Sequence, residues 1–152
     1  MKNYLLISCC ALALSCSDSK VSKIPYYNEP DFNPLFLNEL QAEKEITHRI
    51  SPFAFYNQDS TLFDSQSLLG KVYVANFIFT RCSDICPDMT AQMKRIENAF
   101  LGNNQVALIS FSVTPWIDDV KTLQKFSEKN QISSVNWSLL TGPKEMIYNL
   151  AR

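Results

Sequence analysis

One segment constrains the fold more than any other. Val72 to Phe79, VYVANFIF, is an unbroken run of β-branched, aromatic and small residues, and it reads as a central buried strand. It leads directly into Thr80-Arg81-Cys82-Ser83-Asp84-Ile85-Cys86-Pro87. From Asp88 to Phe100 the apolar residues Met89, Met93, Ile96 and Phe100 recur at spacings of three and four, which predicts a helix with one buried face. A buried strand feeding a helix is the unit of an open α/β sheet, and reactive groups in such sheets collect at the carboxyl ends of the strands.

The rest of the chain repeats the alternation. Val106 to Val113, VALISFSV, predicts a second buried strand, and Asp118 to Lys129 a helix with Val120, Leu123 and Phe126 on one face. Trp137 to Leu140 predicts a third strand, Gly142-Pro143 a turn, and Lys144 to Arg152 the start of another helix. Upstream, Ile50 to Phe55 alternates as a short strand, with Pro52 arguing for a sheet edge. Asn57 to Ser60 is a turn signal, and Leu62 to Leu69 reads as a short connection ending at Gly70. The pattern stops inside a helix with no closing strands after it, so the chain reads as C-terminally truncated.

The amino-terminal residues address the compartment. Tyr4 to Leu14, YLLISCCALAL, is about eleven apolar residues long, too short to span a bilayer but suited to the core of a signal peptide. Ala13-Leu14-Ser15-Cys16 resembles a bacterial lipobox, which predicts cleavage before Cys16 and lipid on Cys16. Residues 1–15 are thus expected to be a lipoprotein signal peptide and residues 16–45 a membrane-proximal tether. That tether is polar at first and then carries Pro25, Pro30 and Pro34. The globular domain is expected over residues 46–152. The protein would be exported, lipid-anchored to a bacterial membrane, and facing the periplasm.

Five cysteines occur in the chain. Cys9 and Cys10 would leave with the signal peptide and Cys16 would be capped by lipid, which leaves Cys82 and Cys86 in a disulfide-permissive compartment. These two lie four residues apart, so on a helical turn their sulfurs face the same way. A helix N-terminus stabilises a thiolate. Two soft thiolates suit Cu(I), and the same pair can close a disulfide. A static disulfide or inert packing is the plain structural alternative. Three residues intervene rather than the two of ordinary thiol oxidoreductases, and a zinc site would require two further ligands.

Other functions find less support. The net charge of −1 advertises no nucleic-acid surface. With three glycines the chain has no glycine-rich phosphate loop. His48, the single histidine, precedes the first strand and reads as a surface or hairpin-capping residue. Met89 and Met93 fit core packing better than thioether ligation. Asp84 is either a tuning residue or a solvated loop residue, and Asp88 fits the helix dipole. Trp116 and Trp137 read as packing or partner-surface residues.

The segment Gly70 to Met93, GKVYVANFIFTRCSDICPDMTAQM, resembles the signature of the Sco/SenC family, in which GK leads a strand into CxxxCP. Ser110 to Pro115 with Asp118 to Ser127, and Trp137 to Gly142, are similar to later family segments, and Phe53 to Asp59 fits the family's first hairpin. The resemblance spans about residues 24 to 152 and implies a thioredoxin-like fold, a central sheet flanked by helices, with the C-terminal strands missing here. It implies a copper metallochaperone that assists assembly of the copper centre of cytochrome c oxidase, with Cys82 and Cys86 as metal ligands. The family's third ligand is a histidine on a loop beyond Arg152, which completes a site that holds Cu(I) and also accepts Cu(II). The receiving partner would be the copper-binding oxidase subunit or another copper chaperone. Thr114 stands where the family often has Asp, and Asp118 and Asp119 are placed to supply the local charge.

Metal transfer requires no bond-making catalysis, so the chain reads as a carrier rather than an enzyme. The alternative is a thiol–disulfide reductase that maintains cysteines of the oxidase subunit. A third reading, a peroxidase of the peroxiredoxin type, would enlist Thr80 and Arg81 around Cys82.

Overall fold

The structure, a computed structural model, describes residues 24–132 and 136–151. Signal-peptide cleavage and the lipidation of Cys16 lie outside the described residues. Two compact units divide the chain at residues 49 and 50.

In the first unit, Tyr26 and Leu35 form an antiparallel bridge, and α1 follows over Glu39–Glu45. Asn38 starts this helix with a capping box: its side chain accepts from the Gln41 N–H, and the Gln41 side chain accepts from the Asn38 N–H. This helix lies within the segment expected to be a membrane-proximal tether. Asn28 closes the unit by accepting hydrogen bonds from the backbone N–H groups of Thr47 and His48.

The second unit holds a five-stranded sheet in the order β2-β1-β5-β4-β3. The strands are β1 (Ala54–Asn57), β2 (Leu62–Asp64), β3 (Val72–Ile78), β4 (Val106–Ser112) and β5 (Trp137–Thr141). The last three are mutually parallel, and β1 joins β5 and β2 antiparallel. Helices α2 (Ile85–Ala99), α3 (Val120–Lys129) and α4 (Lys144–Leu150) complete the unit, with a short 3₁₀ turn over Ser65–Leu68. This is the α/β, thioredoxin-like arrangement expected from the sequence.

Side chains alternate across the strands and build two cores. On one face Ile109 and Phe111 of β4 and Leu140 of β5 pack with Phe53, Phe55, Leu68 and Ile147. On the other, Leu108 of β4 and Trp137 and Leu139 of β5 pack with Ile78, Met93, Leu123 and Ile132. Helix α4 thus covers the first face, and α2 and α3 the second. The second core contains a polar line, in which the Trp137 indole N–H donates to Ser110 and the Ser110 hydroxyl donates to Asn76.

Several local expectations change. Pro52 lies ahead of β1 rather than within it, so it removes no ladder hydrogen bond, and β1 is an interior strand instead of an edge. Leu62 to Leu69 is not a plain connection, because Leu62–Asp64 pairs back on β1 as the second strand of a hairpin. Among the described residues β3 is an edge strand rather than a central one, and Val72 is 66% exposed. An apolar run reports burial of its faces and says nothing about pairing on both sides. Helix α2 begins three residues early, and its buried stripe is Cys86, Thr90, Met93 and Glu97, leaving Phe100 exposed.

Gly142 follows β5 where the backbone passes close to Phe55. A Cβ at this position would overlap Phe55 Cδ1, and that ring is held in the core. Gly142→Ala is expected to destabilise the domain by about 1–3 kcal/mol through overpacking. Urea denaturation followed by circular dichroism checks this, and an unchanged midpoint would contradict the close approach.

Candidate metal centre

The site begins where β3 ends. The Cys82 N–H donates to the Phe79 carbonyl at 3.0 Å and closes a turn over Phe79, Thr80, Arg81 and Cys82. Ile85 then opens α2, which places Cys86 and Pro87 in its first turn. Proline is tolerated there because the first N–H groups of a helix have no intrahelical partner. Asp84 occupies the N-cap position, yet its side chain makes no capping bond.

Both cysteines are free thiols, Cys82 half-buried and Cys86 buried. Their environments differ. Hydrogen bonding from the Cys86 side chain, and then from the backbone N–H groups of Cys86 and Asp84, holds Cys82 below the ordinary thiol range. Burial raises Cys86, and its hydrogen bond to Cys82 raises it further. Backbone hydrogen bonding from Phe79 acts in the opposite sense. Of the two sulfurs, the more exposed Cys82 is the better suited to carry charge.

Below this loop lies a residue whose role the sequence left open. Asp118 is fully buried. Its carboxylate accepts from the Thr80 N–H at 3.3 Å, the Thr80 hydroxyl at 2.5 Å, the Ser112 hydroxyl at 2.7 Å and the Thr114 hydroxyl at 2.9 Å. Asp118 therefore ties the end of β3 to the end of β4. Asp119 faces the other way and caps α3 by accepting from the Thr122 N–H. The sequence carried a signal for the cap alone, an aspartate just ahead of the apolar pattern that begins at Val120.

The remaining candidates fall into place. Thr80, one of the two residues of the peroxidase reading, directs its hydroxyl to Asp118, and Arg81, the other, is exposed. Met93 belongs to the second core. Trp137 is buried, whereas Trp116 is 60% exposed with the Lys144 ammonium 4.9 Å from its ring centre. His48 is exposed. Among the described residues no cluster of three or more His, Cys, Asp or Glu side chains is placed to hold a metal ion. The cysteine pair supplies two soft donors, which fit Cu(I). No helix among the described residues is long and apolar enough to cross a membrane.

Comparison with known proteins agrees with this architecture. The SCO1/SenC family model matches residues 41–152. A SCO1 protein homolog of Bacillus subtilis is 42% identical over 67% of this chain and 53% of its own length, so the chain spans about half of that relative. The structure of BsSco, described as a member of the Sco family of cytochrome c oxidase assembly proteins with a disulfide switch, matches at 42% identity and a TM-score of 0.62, covering 68% of this chain and 62% of that one. Arabidopsis thaliana ScoI, solved with copper bound, matches at 28% identity and a TM-score of 0.53, covering 68% of this chain and 65% of that one. With its fold, its CxxxCP loop and a family match over most of its length, the chain belongs to the SCO1/SenC family.

Proposed function

We propose that this protein is a copper metallochaperone in which Cys82 and Cys86 hold Cu(I) and pass it toward the copper centre of cytochrome c oxidase. The observation that carries this reading is the meeting of two free thiols at the end of β3, in a family whose Arabidopsis relative was solved with copper bound. The half-buried Cys82 offers an incoming partner a ligand to displace, while the buried Cys86 retains the ion until exchange is complete. A lipid on Cys16 would keep the domain beside its membrane partner, in the periplasm. A histidine outside this chain would supply the third ligand.

Exposure of one thiol and burial of the other also favours a second reading, thiol–disulfide reduction. The Cys82 thiolate would attack a disulfide of the oxidase subunit and release one of its sulfurs as a thiolate. Cys86 would then attack the Cys82 sulfur, close the disulfide and release the second. Two electrons pass to the substrate, and a dithiol reductant would restore the pair.

Titration of the purified chain with Cu(I) against a competing chelator tests the first reading. One-to-one binding is expected. A chain that binds no copper, yet exchanges its dithiol readily with a peptide disulfide, would replace the metallochaperone with the reductase.

A further inference from the structure

The Asp118 network has a consequence for the cysteines themselves. The turn from Phe79 to Cys82, closed by the Cys82 N–H on the Phe79 carbonyl, carries the first cysteine and leads through Ser83 and Asp84 into the helix that carries Cys86. Its second residue, Thr80, is gripped twice by one buried carboxylate, through its N–H and its hydroxyl. The same carboxylate is anchored by Ser112 and Thr114, and the Asp118 N–H donates back to the Thr114 carbonyl at 2.9 Å. A fully buried carboxylate is costly unless its acceptors are satisfied, and here it is satisfied by groups that all belong to the strand ends around the loop.

We propose that Asp118 is a positioning residue which, through Thr80, sets the separation and orientation of Cys82 relative to Cys86. It acts on the turn that carries Cys82 rather than as a ligand beside the pair. The inference deepens the reading of Cys82 and Cys86 as the functional pair and rests on it. A purely structural role would tie β3 to β4 without affecting the pair, so the two roles separate by experiment.

Thr80→Val and Ser112→Ala each delete one hydroxyl that donates to Asp118, but only Thr80 lies on the turn. On the full chain, Thr80→Val is expected to weaken Cu(I) binding about 10- to 100-fold, the usual effect of losing a partner that orients a ligand. The same variant is expected to shift the dithiol–disulfide equilibrium of the pair against glutathione. Ser112→Ala should stay within about twofold of wild type in both readouts, as should Thr80→Ser, which restores the hydroxyl. Asp118→Asn should move in the direction of Thr80→Val. The proposal is overturned if Thr80→Val changes neither readout more than Ser112→Ala does. If the wild-type chain binds no copper, the metallochaperone reading fails by itself, and the disulfide equilibrium of the same variants decides the positioning role.

Discussion

Serine in place of either Cys82 or Cys86 is expected to lower Cu(I) affinity by more than about a hundredfold, beyond the range typical of losing a group that only orients a ligand. Cu(I) is a soft ion that selects thiolate over oxygen, and a serine hydroxyl at neutral pH is a neutral, hard donor. The substitution is close to isosteric, so the helix start and the Phe79–Cys82 turn have no steric reason to rearrange. The two variants differ in what they leave behind. Cys86→Ser leaves the half-buried Cys82 as the remaining thiol, whereas Cys82→Ser leaves the buried Cys86. Both nonetheless reduce the site to one soft donor. Chelator competition with circular dichroism as a folding control measures the effect. Tight one-to-one binding retained by either single variant would mean that the copper is held elsewhere.

The part of this site that was legible in the sequence is the part encoded locally. The strand run, the CxxxCP spacing and the helical pattern after it lie within one stretch of chain, so Cys82 and Cys86 could be placed at a strand end before any tertiary contact was known. Asp118 was different. It meets Thr80 across 38 residues of sequence, and periodicity carries no information about such a contact. Strand order was hidden for the same reason. Val72 to Phe79 announced a strand, but its partners were settled by the packing of β4 and β5, and the hairpin strand Leu62–Asp64 is too short to show an alternation of its own. His48 is exposed, as a surface residue should be, yet the Asn28 contact that fixes its backbone is again tertiary.

Phe111→Ala is expected to cost about 3–5 kcal/mol of folding stability, as large-to-small changes at buried aromatic positions do. Phe111 is 4% exposed and central to a ring cluster. It meets Phe53 edge-on at 5.3 Å and Phe55 edge-on at 6.1 Å, and stacks on Phe77 at 5.4 Å. Those partners come from the chain entering β1, from β1 itself and from β3, so one truncation loosens three segments. Aromatic pairs add about 0.5–1.5 kcal/mol beyond area burial, which places the loss at the upper part of the range. Phe111→Leu keeps most of the apolar contact and should cost on the order of 1–2 kcal/mol. Urea denaturation separates the two, and a midpoint for Phe111→Ala equal to that of Lys125→Ala would contradict a central role for the cluster. Phe111 lies on the face covered by α4, whereas Cys86 rides on α2 over the opposite face. Reduced stability with Cu(I) affinity retained is therefore the expected combination. A parallel fall in affinity, under conditions where the fold is intact, would show that β3 couples the aromatic core to the cysteine turn.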